Sequence, residues 1–472
     1  MAKKDKNTKI CYVCQSCGQV LPKWAGKCPG CGEWNTIVEE VVSPRPRGSE
    51  SGMGTRAGGK KTLYLSAVDI GDVERLDVKI GELNGVLGGG LVKGSVVLVG
   101  GDPGVGKTTL LMQMLGNLAK AGVKSLYVTG EESSAQLKMR GARLGVDEKS
   151  FLVLFSTNLE EILDAISDLT PMVVVVDSIQ TTSTDLVEST PGSVSQLRTV
   201  AHLLTSMAKE QGIAVLLVGH ITKDGSIAGP KVLEHLVDTV LYFEGGAEYP
   251  YRILKAHKNR FGPTDEVGVF EMREGGLFEV ADPTGFFLSE RVESEPGSAV
   301  TSALEGTRTL LVEVQSLVTP SPLAVPRRTS MGIDYNRVNI MAAIIEKKGR
   351  IELSNHDIFV NVAGGIKINE PALDAALAAS LVSSYLDVAV PADTVVFGEV
   401  GLSGEVRGVS QGGKRISEAK KLGFTRAVVP KRNAGEPEVP SGIEVHGIKS
   451  IGELIEALFK KGGEGGGKRN CQ

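Results

Sequence analysis

Short apolar runs alternate with helix-length segments through the middle of the chain. The runs at residues 96–99, 125–129, 172–176 and 213–218 are rich in valine, leucine and isoleucine. Such runs are typical of strands buried on both faces, and helical segments between them are typical of parallel sheets. The pattern predicts an α/β domain over residues 63–290, in which helices flank a parallel sheet.

A second apolar pattern follows a junction at residues 290–306, which contains the sequence Glu-Ser-Glu-Pro-Gly. Runs at 310–318 and 358–362 predict strands, and the alanine-rich stretch 371–380 predicts a helix. These elements indicate a separate α+β domain over residues 300–456.

Two Cys-x-x-Cys pairs, each followed by glycine, stand near the N-terminus. Two residues between thiolates let one tight turn present both sulfurs to a tetrahedral ion, and glycine suits the positive φ of such a turn. The ten residues between the pairs leave no room for a hydrophobic core, so an ion must hold the module together. We predict a structural Zn²⁺ site at residues 10–36, with the ligands Cys14, Cys17, Cys28 and Cys31.

Two alternatives remain open for this module. Cys11 lies three residues before Cys14 and could replace Cys17, although no glycine follows it. A redox pair is a rival function for one Cys-x-x-Cys motif, but it does not explain two repeated pairs. The Pro-, Gly- and Ser-rich stretch that follows predicts a flexible linker at 37–62, and the glycine-rich C-terminal segment predicts a disordered tail at 457–472.

The chain has 472 residues, of which 41% are hydrophobic, and a formal net charge of −4. Its length is enough for about three domains with real cores. No global basic field is present, so any contact with nucleic acid must be local. The polar, lysine-rich N-terminus is unlike a signal peptide, and no apolar run is long enough to cross a membrane. We expect a cytoplasmic protein without membrane contact, in which paired cysteines bind metal rather than form disulfides.

The apolar run at 96–99 leads into a glycine-rich loop and then into a helical pattern. In a loop of the form Gly-x-x-x-x-Gly-Lys-Thr, the glycines let successive N–H groups point at an anion, the lysine reaches the terminal phosphates and the threonine hydroxyl can hold Mg²⁺. The dipole of the following helix adds to the attraction. We predict a site for nucleotide phosphates and Mg²⁺ made by Gly101, Asp102, Pro103, Gly104, Val105, Gly106, Lys107, Thr108 and Thr109.

Carboxylates end two of the predicted strands. Asp177 follows four valines and suits a residue that orients Mg²⁺ beside Thr108, directly or through water, although a strand-capping role is the alternative. Glu131 and Glu132 end another strand, and a base that polarises the attacking water is needed near the γ-phosphate. Glu131 is our candidate; Glu132 is the near alternative, and a solvated pair without a catalytic role is the other.

A third strand, at 215–219, ends at His220 and continues into a glycine-containing loop. A polar group at this position can sense the γ-phosphate and pass its presence into the loop. An ordinary hydrogen-bonded histidine at a strand end is an equally open interpretation.

Several motifs together resemble the bacterial RadA (Sms) family of recombination and repair proteins. The similarity covers essentially the whole chain, and the pentapeptide Lys-Asn-Arg-Phe-Gly at 258–262 is its most specific mark. The other matching features are the segment Leu-Gly-Gly-Gly-Leu-Val-Lys-Gly at 87–94, the phosphate loop, Gly-Glu-Glu at 130–132 and the cysteine pairs. The resemblance implies a RecA/DnaB-like motor core that hydrolyses ATP with Mg²⁺, binds single-stranded and branched DNA and assists branch migration. It also implies the recombinase RecA as a partner.

In rings related to RecA and DnaB, basic residues of one subunit complete the ATP site of its neighbour. Lys258 and Arg260 fit that role, because two cations two residues apart on an extended segment point to one face and could bridge a γ-phosphate. The alternative is a basic cluster that is solvated or contacts DNA. A site that needs a neighbour predicts a homo-oligomer, which we expect to be a hexameric ring.

The region from residue 300 to Pro430 is similar to the proteolytic domain of Lon. A Ser–Lys peptidase needs a serine at the start of the alanine-rich helix, where this chain has Ala372. Lys414 lies near the family's lysine but not in clean register, and a base without a nucleophile cannot form an acyl-enzyme. We therefore expect an inactive scaffold of this fold, useful for assembly or for presenting a basic surface made by Lys414, Arg415, Lys420 and Lys421.

Three functions compete on these observations. The first is a DNA-stimulated ATPase motor, favoured by the cysteine pairs and by the pentapeptide. The second is an ATP-dependent peptidase or a peptidase-associated chaperone, against which Ala372 counts. The third is a signalling ATPase related to KaiC, which shares the glycine-rich segments but does not explain the cysteine pairs.

Overall fold

The computed structural model describes residues 9–14, 19–42, 74–147, 149–220, 232–245, 251–280, 288, 291–292, 295–323, 325–365 and 368–460. The chain divides into two compact units. The first unit comprises Met1–Ala247 and Arg252–Glu279, and the second comprises Glu248–Tyr251 and Val280–Gln472.

The N-terminal module of the first unit is a small antiparallel sheet. Strand β1 (Lys9–Cys14) pairs with β2 (Val20–Leu21) on one side and with β3 (Ile37–Val42) on the other. The prediction of a linker from residue 37 was wrong for β3, because its apolar residues and its pairing with β1 make it part of the sheet. The packed interior consists of little more than Cys14, Cys28 and Ile37.

The larger part of the first unit is built on a mixed sheet. The strands are β4 (Arg75–Leu76), β5 (Leu91–Val92), β6 (Val96–Gly101), β7 (Ser125–Thr129), β8 (Leu152–Phe155), β9 (Val173–Asp177), β10 (Ala214–His220), β11 (Thr239–Glu244), β12 (Tyr251–Asn259), β13 (Val267–Arg273) and β14 (Gly276–Glu279). Within the described residues, nine of them form one sheet in the order β14-β13-β12-β11-β6-β10-β9-β7-β8, and β4 pairs with β5 separately. The strands from β11 to β8 in this order run parallel, which confirms the predicted parallel sheet.

Helices cover both faces of this sheet. They are α1 (Gly81–Leu87), α2 (Lys107–Lys120), α3 (Ser134–Arg143), α4 (Leu159–Leu169), α5 (Val194–Gln211) and α6 (Val232–Leu236). Side chains of α1 and α2 pack in a core on one face, and those of α4 and α5 pack in a core on the other. Because both faces are covered, the central strand β6 is buried along its whole length.

The second unit is an α+β domain. Its strands are β15 (Ser298–Glu305), β16 (Arg308–Pro320), β17 (Arg328–Met331), β18 (His356–Val362), β19 (Thr394–Val396), β20 (Glu399–Val400), β21 (Val406–Arg407), β22 (Arg426–Pro430) and β23 (Glu444–Ile448). The main sheet has the order β17-β18-β16-β15-β19-β22-β23. Its helices are α7 (Tyr335–Ile344), α8 (Asp374–Leu386), α9 (Gly412–Lys421), α10 (Lys431–Ala434) and α11 (Ile451–Phe459), with a π-helical turn at Ile345–Gly349 and a 3₁₀ turn at Pro371–Leu373.

The last helix corrects one predicted boundary. Residues 457–459, which the sequence analysis placed in a disordered tail, belong to α11, and Leu458 is buried. The remainder of that tail, from residue 461, lies outside the described residues. Among the described residues, no helix combines the length and the apolar character that a bilayer span requires.

Candidate functional site

The phosphate loop connects the buried strand β6 to helix α2. Gly104 and Gly106 have φ values of +80° and +115°, a region that L side chains rarely adopt. A side chain at Gly106 would also come within 2.8 Å of Met272 Cε. The loop therefore needs glycine at this position, and α2 begins directly after it with its free N–H groups at the loop.

Lys107, the first residue of α2, lies beneath the loop and is only 4% exposed. Its ammonium donates to the carbonyl of Gly101 at 2.7 Å and to that of Asp102 at 2.9 Å. Burial lowers the pKa of Lys107, while the nearby carboxylates of Asp177, Asp102 and Glu131 oppose this shift. The loop backbone and these carboxylates thus hold a cation at the place where phosphate oxygens are expected.

Asp177 ends β9 beside the loop and is buried. Its Oδ2 accepts hydrogen bonds from the Thr108 hydroxyl at 2.7 Å and from the Tyr127 hydroxyl at 2.6 Å. Burial and the Asp177 charge both raise the pKa of Tyr127, so this phenol remains a donor. A carboxylate beside a loop threonine is the oxygen ligand pair that Mg²⁺ takes in phosphate-loop enzymes, so these residues fit the ion.

The two carboxylates after β7 have different surroundings. Glu131 is exposed and accepts a hydrogen bond from the Ser178 hydroxyl, next to Asp177. Glu132 forms an ion pair with Arg140 of α3, and burial raises its pKa. Glu132 is thus paired with Arg140 of α3, whereas Glu131 contacts Ser178, the residue that follows Asp177 at the end of β9.

Tyr127, Ser178 and Arg140 were not among the residues predicted from the sequence. Tyr127 and Ser178 meet Asp177 and Glu131 because β7 and β9 are neighbours, with Thr129 directly beside Asp177 in the register. Arg140 reaches Glu132 from α3, the helix that follows β7. Nothing in the local sequence indicated that the buried Tyr127 hydroxyl contacts the site, since tyrosine is common in strands. His220 is the last residue of β10 and pairs with Gly101 of β6. The His220 side chain and the loop after this residue lie outside the described part of the structure.

Lys258 and Arg260 lie at the edge of the sheet where β6 begins, opposite the edge that carries the phosphate loop. The Lys258 ammonium donates to the carbonyls of Glu234 and Val237 at 2.6 and 2.7 Å. The Arg260 guanidinium pairs with Asp238 at 3.2 Å and is 52% exposed. Burial, together with the charge of Arg260, lowers the pKa of Lys258.

The position of these cations follows from the strand register. The second carboxylate oxygen of Asp238 accepts the N–H of Val96, the first residue of β6. The phosphate loop begins at the last residue of that strand, Gly101, and a strand rises about 3.3 Å per residue. Arg260 is therefore anchored at a point about 16 Å along the strand from the loop of its own chain.

The rest of the pentapeptide packs against the glycine segment that follows α1. The Asn259 amide donates to the Leu87 carbonyl at 3.3 Å, and Arg75 donates to the Phe261 carbonyl at 2.5 Å. A side chain on Gly262 would come within 3.0 Å of the Gly88 backbone, so the two segments approach closely only because both positions are glycine.

The N-terminal cysteines form a compact sulfur cluster. The Sγ atoms of Cys14, Cys28 and Cys31 lie within 4.8 Å of one another, and those of Cys14 and Cys31 are 3.7 Å apart. Tetrahedral zinc with bonds of about 2.3 Å requires sulfurs about 3.8 Å apart, so this cluster fits Zn²⁺. Gly32 has a φ of +78°, as predicted for the residue after the second pair. Cys17 and the side chain of Cys11 lie outside the described part of the chain.

The peptidase-like region has no hydroxyl at the expected position. Ala372 is buried in the 3₁₀ turn that precedes α8. Lys414 is exposed, whereas Arg415 is fully buried and binds Glu370 and the Ser302 carbonyl. The inclusion of Arg415 in a basic surface was wrong, because its guanidinium joins the turn before α8 to helix α9.

Protein families match three parts of the chain. The AAA domain family matches residues 61–226, the rubredoxin metal binding domain matches residues 12–39, and the family described as subunit ChlI of Mg-chelatase matches residues 329–433. A solved KaiC-like protein from Pyrococcus horikoshii OT3 is 22% identical, with a TM-score of 0.38, over 44% of this chain and 99% of that one. The three family matches, together with the cysteine cluster, show a RecA-like ATPase core with an N-terminal zinc ribbon and a ChlI/Lon-like C-terminal domain.

Curated relatives extend over nearly the full length. A DNA repair protein RadA from Bacillus subtilis is 48% identical over 95% of this chain and 98% of its own. A protein of the same name from Pseudomonas aeruginosa is 49% identical over 96% of this chain and 99% of its own, and one from Brucella abortus is 46% identical. With this identity across all three parts, the chain belongs to the family of the DNA repair protein RadA.

Proposed function

We propose that this protein is a DNA-stimulated ATP hydrolase of recombinational DNA repair, which binds single-stranded and branched DNA and promotes branch migration. The observation that carries this proposal is the convergence of Lys107, Thr108, Asp177 and Glu131 at one phosphate loop, in a chain whose relatives are DNA repair proteins. We place the protein in the cytoplasm, with the recombinase RecA as a partner.

Each residue of the loop site has a role that its contacts support. Lys107 offsets the charge of the terminal phosphates, and the backbone N–H groups from Gly101 to Thr109 cradle them. Thr108 and Asp177 hold Mg²⁺, which when bound neutralises charge on the phosphate oxygens. Glu131 orients and polarises the attacking water, and Ser178 fixes its carboxylate.

Lys258 and Arg260 act on the ATP site of a neighbouring subunit in a ring, which we propose is hexameric. Their anchorage at the far end of β6 supports this role, because they are remote from the loop of their own chain. Arg260 is half exposed and is available to a neighbour. Lys258 must first give up two carbonyl partners, so Arg260 is the stronger candidate for the transition-state cation.

The N-terminal module holds Zn²⁺ through Cys14, Cys17, Cys28 and Cys31. Cys17→Ser should lower the zinc content to well below one ion per chain, because one thiolate of a tetrahedral site is lost. Cys11→Ser is the matched control and should keep its zinc. Zinc is measured by metal analysis of the purified variants. If Cys11→Ser loses zinc and Cys17→Ser keeps it, Cys11 is the fourth ligand.

The C-terminal unit acts as a scaffold and not as a peptidase. Ala372 offers only a methyl group where a nucleophile is needed, and Arg415 is committed to Glu370. An ATP-dependent peptidase is therefore the less favoured function.

The decisive measurement is the rate of ATP hydrolysis with and without single-stranded DNA. We expect DNA to raise the rate, and Lys107→Ala to abolish hydrolysis under both conditions. Branch migration of a synthetic four-stranded junction should require ATP and the same lysine. A rate that DNA does not alter, or that survives Lys107→Ala, would refute the proposed function.

A further inference from the structure

Two large aromatic side chains lie outside the small core of the zinc module. Trp24 is 59% exposed and Trp34 is 68% exposed, although indoles normally contribute strongly to burial. The module packs only Cys14, Cys28 and Ile37 with a few neighbours in its interior. Exposed tryptophans on so small a module indicate a surface that binds another molecule.

The two indoles are held side by side. A Cβ placed on Gly26 would lie 3.7 Å from a ring atom of each tryptophan, so these ring atoms are at most about 7.4 Å apart. Gly26, which has no side chain, leaves the space between them open. One planar base is about 3.4 Å thick, and a stacked base on either ring is within reach of the other.

Hydrogen bonds hold the Trp24 ring and the backbone of Trp34 in place. Trp24 donates its indole N–H to the Ile37 carbonyl at 3.2 Å, which ties it to β3. Trp34 forms an antiparallel bridge with Lys27, and the next residue donates to the Gly26 carbonyl at 2.9 Å. A surface with rigid aromatic groups loses little conformational entropy when it binds a ligand.

Positive charge accompanies the rings. The Lys27 ammonium lies 5.7 Å from the centre of the Trp34 ring, and Lys23 is exposed beside Trp24. Aromatic faces with neighbouring cations match a strand that offers flat bases and phosphates alternately. An apolar protein surface would not use these ammonium groups.

We propose that Trp24 and Trp34, with Lys23 and Lys27, form a stacking surface for the bases of an extended single-stranded nucleic acid. This inference rests on the proposed binding of DNA and assigns part of that binding to the zinc module. The surface would hold a strand outside the motor core, through base faces and without sequence preference.

Trp24 and Trp34 are the two tryptophans of the chain, so its indole fluorescence reports on this surface alone. In the full-length, zinc-loaded protein, emission should be that of water-exposed indole before DNA is added. Saturation with an oligothymidylate should quench it. Saturation with an abasic strand of equal length should leave the emission unchanged, since that strand has the phosphates without the bases. Binding of both strands is followed independently by anisotropy of an end label.

Substitution tests the same surface. Trp34→Ala should weaken oligothymidylate binding by about 5- to 150-fold, the range for loss of one stacked base. Trp34→Phe, which retains a ring, should restore most of the affinity. Leu402→Ala, at another exposed apolar side chain, is the matched control and should bind as the unaltered chain does. Zinc content should be the same in all variants.

Several outcomes would overturn the inference. If the strand binds while emission and the affinity of Trp34→Ala stay unchanged, the stacking surface is refuted and the proposed function stands. If emission shows indoles covered before DNA is added, or responds only to the recombinase RecA, the surface serves a protein contact. If the unaltered chain binds neither strand, DNA binding itself fails, and the inference fails with it.

Discussion

Tyr127 is a positioning residue for Asp177. Its hydroxyl donates to the same carboxylate oxygen that Thr108 contacts, and it is fully buried. Tyr127→Phe removes this donor and keeps the ring, so the core should stay packed. A hydrogen bond to a charged group contributes about 1.5–3 kcal/mol, and we expect the Mg²⁺ concentration for half-maximal hydrolysis to rise about tenfold.

The control is Tyr242→Phe. The Tyr242 hydroxyl also donates to a carboxylate, that of Glu234 at 2.9 Å, but this hydrogen bond joins β11 to α6 and does not involve Asp177. This variant should keep the Mg²⁺ dependence of the unaltered protein. If Tyr127→Phe loses activity equally at every Mg²⁺ concentration, the hydroxyl has a general structural role only.

The choice between the neighbouring carboxylates can be decided by two matched substitutions. Glu131→Gln keeps the shape of the side chain and removes its basicity, so ATP should bind and hydrolysis should fall by at least about 10²-fold. Glu132→Gln breaks the ion pair with Arg140 and should reduce hydrolysis much less. Nucleotide binding is measured in parallel, and the opposite ranking of the two rates would make Glu132 the base.

Local motifs could be predicted at this scale, and contacts across strands could not. The phosphate loop is contiguous, so glycine positions and the lysine indicate its shape directly. Tyr127 and Ser178 reach the predicted acids through the pairing of β7 with β9, which a single sequence does not reveal. The roles of Glu131, Lys258 and Arg260 remain predictions, whereas their positions are now defined.

At the scale of helices and strands, the apolar runs predicted four of the six parallel strands, β6, β7, β9 and β10, within about two residues. Strand β7 covers residues 125–129, as the run predicted, and β10 extends from Ala214 to His220. The parallel strands β8 and β11 and the antiparallel strands β12, β13 and β14 were not predicted. Strand β3 was assigned to the linker, although four of its six residues are apolar.

Arg415 was misplaced on the surface for a similar reason. It stands in a run of basic residues on α9, and only the fold shows that its neighbour Lys414 is exposed while Arg415 is buried. A buried arginine requires a partner, and Glu370 in the turn before α8 provides one. The pair therefore joins two elements of the C-terminal unit.

Arg415→Met should destabilise that unit by about 3–5 kcal/mol, because it leaves the Glu370 carboxylate in a largely buried position without its cation. Urea unfolding of the full chain measures the change in the transition that belongs to this unit. Lys414→Met is the matched control at the adjacent exposed position and should change stability by less than about 0.5 kcal/mol. Addition of Glu370→Gln to Arg415→Met should recover part of the loss, and no recovery would argue against the pair.

At the scale of the whole molecule, the sheet of the first unit separates two sets of charged groups. One end of β6 carries the phosphate loop, and the other end carries Asp238 with Arg260. Arg260 thus lies at a distance from the ATP site of its own chain, as the proposed role at a neighbour's site requires. Such contacts would be head-to-tail, and they close into a ring where the rotation between subunits permits it.

Mixed subunits test whether Arg260 serves a neighbour. Arg260→Ala should bind ATP normally, because its own loop is intact, and should hydrolyse it at least about 10³-fold more slowly even with DNA. Lys107→Ala should also be inactive, since its loop lacks the lysine. In a mixture, some boundaries combine the intact loop of the first variant with the intact arginine of the second, and hydrolysis should reappear there.

The expected recovery is measurable. With equal amounts and random assembly, about one boundary in four is of the productive kind, so the rate should approach a quarter of the unaltered rate if sites fire independently. Subunit exchange is verified separately by energy transfer between labelled chains. If exchange occurs and the mixture stays inactive, Arg260 acts within its own chain, where its pairing with Asp238 at the start of β6 would transmit a DNA-bound state along the strand toward the phosphate loop.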